Sequence, residues 1–158
     1  MVISSYENLM ELQKIFIHEL KAFEIQAYNN QYSKEKVDIA RYILCKLIDD
    51  IILSKPWGKI AWENSKLTTF FNTDFFENED FFYVINSLLN EGNTNIELLE
   101  LLELLELLYI CLSLNYQETF KSASEENNSI AKLLNFLFEK IKNYRGDIIK
   151  NLFINENL

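Results

Sequence analysis

The sequence predicts an all-α protein, and three observations support that prediction. Glycine and proline are rare, with three and one in 158 residues, which leaves few of the tight turns that a β-rich fold needs. Apolar residues recur at helical spacing along most of the chain. Short polar interruptions separate these stretches, so we expect six or seven helices whose neighbours run antiparallel.

The first two helices have clear start and stop signals. Ser4 and Glu7 form a capping box that opens the first helix, and the pair of asparagines at 29–30 ends it. Ser33 is a suitable N-cap for the second helix. That helix is expected to run to about Leu53, because the single proline of the chain follows and cannot continue it.

The sequence pattern in the middle of the chain predicts three further helices. A short one is expected over residues 60–71, and another over residues 79–89. Thr94 and Glu97 form a second capping box, which opens a long helix to about Leu114. Glutamates alternate with leucine pairs at its start, and this period of three rotates them around the helix, so we expect burial on most sides.

The last predicted helix covers residues 130–141, where the apolar positions are again spaced for a helix. Gly146 follows as a C-terminal stop signal. No linker divides the chain, so we expect one helical domain over residues 1–158.

Charge and hydropathy exclude several classes of protein. The net charge is -9, and no basic stripe of the kind found in nucleic-acid-binding proteins is visible. An acidic chain is also repelled by anionic lipid head groups. The sequence contains no signal peptide and no run of about 18 apolar residues that would span a bilayer.

The residues of catalytic and metal sites are sparse. His18 is the single histidine, and Cys45 and Cys111 are too far apart in sequence for a zinc motif. Phosphate-binding glycine loops are absent. We therefore predict no catalytic residue, no cofactor and no metal ligand; the alternative hypothesis is a small helical carboxylate-based metal-binding protein or enzyme.

One segment of the second helix has acidic residues at a position where helices disfavour them. Asp49 and Asp50 stand near the helix C-terminus, where the helix dipole disfavours negative charge. A helical wheel places Tyr42 and Asp49 together on the polar side. The predicted core stripe consists of Val37, Ala40, Leu44, Leu47, Ile48 and Ile51.

Two interpretations of this segment follow from the pattern. Either its polar side is solvated and includes a weak Lys46–Asp50 pair, or it forms an acidic docking patch bordered by Tyr42 and Trp57. The pattern alone leaves both open.

The same segment contains a run of residues with a characteristic spacing: Ala40-Arg41-Tyr42, Leu44-Cys45, Asp49 and Pro56-Trp57-Gly58, followed by Trp62 and Ser65. This pattern closely resembles the signature of the DotU/IcmH/TssL family. Residues 106–114 match a second family segment, and the resemblance covers about residues 10–142. Departures are Asp50 in place of the family's glutamate and the absence of glycines at 77–82 and after the second segment, near Asn115.

The resemblance implies a non-enzymatic component of a bacterial type VI or type IVB secretion system. Family members look like inner-membrane proteins with a cytoplasmic domain of two three-helix bundles that form a hook with a cleft. The implied partners are an IcmF/TssM-like inner-membrane protein and a TssK-like baseplate protein, and any homodimer of this part should be weak. A single C-terminal membrane helix normally follows, so we expect either the portion of a longer protein before that helix or a shortened member held by its partners.

The resemblance also makes Asp49, Asp50, Tyr42 and Trp57 candidate partner-binding residues. We expect that reversing the charge of Asp49 and Asp50 together weakens partner binding and leaves the fold nearly intact. Trp57 and Trp62 are expected to pack the Pro-Trp-Gly turn against the helices.

Overall fold

The computed structural model describes residues 6–71, 98–119 and 124–156, and all regular structure in these ranges is helical. This confirms the predicted all-α class. The chain divides into two compact units, Met1–Asp80 and Phe81–Leu158. Within the described ranges, no helix is both long enough and apolar enough to cross a membrane.

The first unit contains three described helices: α1 (Tyr6–Asn29), α2 (Lys34–Leu53) and α3 (Leu67–Phe71). The predicted boundaries between α1 and α2 are confirmed. Gln31 has a left-handed backbone, with φ of 66°, where the chain reverses. The Ser33 hydroxyl then accepts the backbone N–H of Lys36 at 3.3 Å and caps α2.

The buried surface of α2 is wider than the predicted apolar stripe. Val37, Ala40 and Leu47 are buried as expected, whereas the other three members of that stripe are only half-buried. Tyr42 and Asp49, which the helical wheel placed on a polar side, are buried as well. The single-stripe interpretation is therefore wrong, because α2 is covered around most of its circumference.

The predicted short helix over residues 60–71 is confirmed only at its end. Residues 54–65 form successive turns, in which the Trp62 N–H donates to the Gly58 carbonyl and the Ser65 N–H to the Trp62 carbonyl. Regular helix begins at Leu67, and the carboxylate of Asp49 accepts its N–H.

The second unit contains α4 (Leu98–Thr119) and α5 (Ser124–Glu156), which pack against each other. Arg145 donates to Glu106 and the ring of Tyr109 lies near that of Phe138, so the two helices are antiparallel. Their buried side chains are Leu102, Leu104, Leu105, Leu108, Cys111 and Leu112 on α4, with Leu137 and Ile141 on α5.

Two boundaries predicted for the second half of the chain are corrected. Gly146 does not end the last helix, since α5 continues to Glu156. Helix α4 extends past Leu114, its predicted end, to Thr119 and so includes Asn115. Helix α4 is exposed along one side, where Leu99 and Ile110 are more than half exposed, and its other side chains between residues 100 and 113 are buried or half-buried, as expected.

Several predicted features lie outside the described residues. They are the serine of the first capping box, the helix over residues 79–89 and the capping box at Thr94 and Glu97. Five helices are described, so the count of six or seven, the two three-helix bundles and the single domain stay predictions.

Candidate functional site

The two adjacent acids at the end of α2 have opposite environments. The side chain of Asp49 is only 2 % exposed and accepts four hydrogen bonds. One carboxylate oxygen, Oδ1, accepts the indole N–H of Trp62 and the backbone N–H of Leu67, both at 2.8 Å. The other, Oδ2, accepts the backbone N–H of Thr68 at 3.0 Å and its hydroxyl at 2.9 Å.

These contacts explain why an acid is tolerated at this position. Asp49 accepts the first two backbone N–H groups of α3, which have no partner inside that helix. A carboxylate with several donors is a stable buried group, whereas an unpaired one is costly. The cost of a negative charge near the C-terminus of α2 is thus offset at the N-terminus of α3.

The Pro-Trp-Gly turn brings the donors to this carboxylate. A Cβ atom on Gly58 would lie 2.3 Å from the carbonyl oxygen of Ile52, a distance that real Cβ atoms do not reach. Only glycine lets the chain fold back so closely over the end of α2. The Gly58 N–H donates to the Lys55 carbonyl at 3.0 Å, which closes the turn.

An apolar cluster packs against the inner side of the Pro-Trp-Gly turn. Trp62 and Leu67 are completely buried and pack with Cys45, Ile52 and two leucines of α1, while Trp57 is half-buried against the cluster. The amide of Gln13 also donates to the carbonyl of Ser65 at 2.9 Å, which ties α1 to the turn. The expected packing role is confirmed for Trp62 and holds in part for Trp57.

Asp50 remains at the surface beside this rigid base. Its side chain is 27 % exposed, and one carboxylate oxygen lies 3.1 Å from the Lys46 ammonium, the pair that the spacing predicted. Ile60, in the following turns, is 86 % exposed. A partner protein could therefore reach Asp50, the exposed part of Trp57 and Ile60, whereas Asp49 and Tyr42 are covered.

Sequence reasoning missed three residues of this site. Thr68 supplies two of the four donors to Asp49, Gln13 holds the turn from another helix, and Ile60 is the most exposed large apolar residue of the described chain. A usable signal existed for Thr68, since hydroxyl side chains favour helix N-termini. No local pattern indicates the other two.

A second charged cluster surrounds Arg41 of α2, about two turns from the start of that helix. The Arg41 guanidinium pairs with Glu24 of α1 and lies 3.7 Å from Asp38. It also stacks 5.0 Å from the centre of the Phe71 ring, a cation–π arrangement. Arg41, a signature residue, therefore links α1, α2 and α3.

The two thiols are not activated nucleophiles. Burial, with a smaller contribution from the charge of Asp49, raises the pKa of Cys45 to about 12. Burial raises the pKa of Cys111 to about 11. The reactive form of cysteine is the thiolate, so both groups are inert near neutral pH.

No candidate metal centre emerges in the ranges that the structure describes, because no three side chains of His, Cys, Asp or Glu lie close enough together there to hold an ion. His18, the only histidine, is exposed on α1. The alternative hypothesis of a carboxylate-based metal protein gains no site from the described residues.

The second signature segment is mainly structural. Cys111 and Leu112 are buried in the α4–α5 interface. The hydroxyl of Ser113 donates to the Tyr109 carbonyl at 2.8 Å, within the helix. Glu106 accepts from Arg145 through Nε at 2.9 Å and Nη2 at 2.6 Å, so it fixes α5 against α4.

Comparison with known proteins agrees with this pattern of signature residues. The family model described as type VI secretion system protein DotU matches residues 3–156, nearly the whole chain. No curated protein and no solved structure gives a significant match. The chain therefore belongs to the DotU family of type VI secretion system proteins.

Proposed function

We propose that this protein is a non-enzymatic structural component of the membrane complex of a type VI secretion system. Membership of the DotU family carries the proposal. The inert thiols agree with it, since the chain offers no activated nucleophile at either cysteine. The proposed location is the bacterial inner membrane, with these helices on the cytoplasmic side.

The proposed docking surface is the exposed part of the segment from Asp50 to Ile60. A rigid base supports it, because Asp49 and Trp62 fix the turn from inside. Isolated apolar residues are common at surfaces, so Ile60 alone is weak support. Trp57 adds support, because its ring is only half-buried and tryptophan is among the residues enriched in binding hot spots.

The proposed partners are an IcmF/TssM-like inner-membrane protein and a TssK-like baseplate protein. Asp50 would face a basic group of one of them, and the aromatic edge of Trp57 and the side chain of Ile60 would enter an apolar pocket. Asp49 acts on this surface indirectly, by holding its shape. Tyr42 is buried, so it is not proposed as a contact residue.

The test is capture of the chain by tagged TssM-like and TssK-like proteins of the same organism, after co-expression. We expect a complex with at least one of them, and an Ile60→Glu variant should reduce capture at least tenfold. Ile25→Glu is the matched control, because Ile25 is also an exposed isoleucine but lies on α1. No capture of the unaltered chain by either protein would overturn the proposed function, whereas equal capture of both variants would overturn only the surface.

A further inference from the structure

The segment that links α2 to α3 is basic, although the chain as a whole is acidic. Residues 54–66 contain three lysines and one glutamate, a net charge of +2, whereas the whole chain carries a net charge of -9. The same segment contains the two apolar side chains of the proposed docking surface, Trp57 and Ile60. The apolar part of that surface therefore lies in a locally positive segment.

Lys59 differs from the other cations of the first unit in having no partner. Over residues 6–71, every other lysine and the arginine take part in an ionic, hydrogen-bond or ring interaction. The side chain of Lys59 is exposed, and none of the interactions found within the described residues involves its ammonium group. The acid four positions further on, Glu63, is bound instead to Lys66 at 2.8 Å. The charge of Lys59 is thus available to another molecule.

The backbone holds Lys59 and Ile60 side by side at the surface. The N–H of Lys59 donates to the carbonyl of Lys55, and that of Trp62 to the carbonyl of Gly58, both at 3.0 Å. These bonds span four positions, as in one turn of an α-helix. Gly58 and Trp62 are buried on the inner side of this turn, whereas Lys59 is exposed and Ile60 is 86 % exposed. A cation and the most exposed large apolar side chain of the described residues are therefore direct neighbours on a supported turn.

We propose that the docking surface recognises a partner segment in which an acidic side chain adjoins an apolar one. The carboxylate pairs with Lys59, while the apolar side chain contacts Ile60 and the exposed edge of Trp57. The basic group proposed to face Asp50 lies on the α2 side of the same contact, so opposite charges at two places set the orientation of the partner. This inference rests on the proposed function, because it specifies the chemistry of the partner which that function requires.

An acidic protein segment fits this surface better than an anionic membrane does. Tryptophan and lysine beside an exposed apolar side chain also occur where proteins touch lipid head groups. However, anionic lipids would repel the carboxylates of Asp50 and Glu63 and a chain of net charge -9. A protein partner can instead present a positive charge to Asp50 and a negative charge to Lys59. Complementary charge therefore favours a protein as the occupant.

The first test measures the affinity of Lys59→Glu for the TssM-like or TssK-like protein that captures the unaltered chain. At about 0.1 M salt we expect binding to be weaker by about tenfold or more, and the difference should shrink at about 1 M salt, where charges are screened within about 3 Å. Lys132→Glu is the matched control, because Lys132 is also an exposed lysine but lies on α5. Unchanged affinity of Lys59→Glu, together with weaker binding of Ile60→Glu, would overturn this inference alone. Capture of the unaltered chain by neither protein would overturn the proposed function as well.

A zero-length cross-link identifies the group that meets Lys59. A water-soluble carbodiimide joins an amine to a carboxylate only where the two touch, so we expect an amide bond between Lys59 and an aspartate or glutamate of the captured protein, detected by mass spectrometry. Lys59→Arg keeps the positive charge and should bind within about threefold of the unaltered chain, but it should lose this cross-link. Cross-links through other lysines only would contradict the position of the acidic group. Binding of the chain to phosphatidylglycerol vesicles, abolished in Ile60→Glu, would show instead that lipid occupies the surface.

Discussion

Asp49 and Asp50 show how one step along a helix separates two roles. Successive side chains differ by about 100°, so adjacent acids cannot share an environment on a buried helix. Asp49 is directed inward onto four donors, whereas Asp50 lies at the surface beside Lys46. The structure changes the expectation that both charges can be reversed without loss of stability, because Asp49 is part of the core.

Replacing Asp49 should destabilise the fold far more than replacing its neighbour. Asp49→Asn keeps the size of the side chain but directs an amide N–H group at one pair of donors, so we expect a loss of about 2–4 kcal/mol in unfolding free energy. Asp50→Asn, the matched control, should cost less than about 1 kcal/mol because its ion pair is partly exposed. Urea denaturation measures both, and equal losses would contradict the assigned roles.

The buried thiols predict an alkaline loss of stability. The pKa of Cys45 is about 12 in the folded chain against an ordinary value near 9, so its contribution is complete below pH 9. The contribution is lost as the pH rises from 9 toward 12, because the unfolded chain releases this proton first. Unfolding free energy measured from pH 8 to 10.5 should fall, and less steeply in Cys45→Ala. If the unfolding free energy fell equally steeply with pH in the unaltered chain and in Cys45→Ala, the Cys45 thiol would be exposed to water and not buried.

At the scale of the elements, local signals determined some boundaries and failed at others. The end of α1 and both ends of α2 follow from a cap, a polar pair and a proline, all of which act within one turn. Gly146 failed as a stop because glycine weakens a helix without ending it, and α5 packs on α4. In the stretch 60–71, regular helix begins only at Leu67, whose backbone N–H is bound by the distant carboxylate of Asp49, a contact that no local pattern shows.

The two described glycines should respond oppositely to alanine. Gly58→Ala places a Cβ against the Ile52 carbonyl and should destabilise the chain by about 2 kcal/mol or more, as overpacking does. Gly146→Ala meets no atom within 4 Å in the interior of α5, so it should stabilise the chain by about 0.5–1 kcal/mol. Thermal denaturation of the two variants compares them directly, and a harmless Gly58→Ala would disprove the close approach.

The candidate site was predictable in position but not in detail. The dipole argument identified Asp49 and Asp50 as unusual, and the family signature placed Trp57 beside them. Which acid is buried depends on Thr68 and Trp62, which reach Asp49 only after the turn has folded back. Such long-range pairing leaves no periodic signal in the sequence.

At the scale of the whole molecule, the signature residues serve mainly as internal supports. In the unit Met1–Asp80 they hold the turn and join three helices through Asp49 and Arg41. In the unit Phe81–Leu158 they fasten α4 to α5 through Glu106 and Cys111. The surface around Asp50, next to the support in the unit Met1–Asp80, is where partners are proposed to bind.

The most direct test of this account is the affinity of Asp50→Lys for the TssM-like or TssK-like partner that captures the unaltered chain. Glu11→Lys, on the exposed side of α1, is the charge-matched control. Both variants should unfold at nearly the same urea concentration as the unaltered chain. The account predicts at least tenfold weaker binding for Asp50→Lys and no change for Glu11→Lys; unchanged binding by a folded Asp50→Lys protein would contradict it.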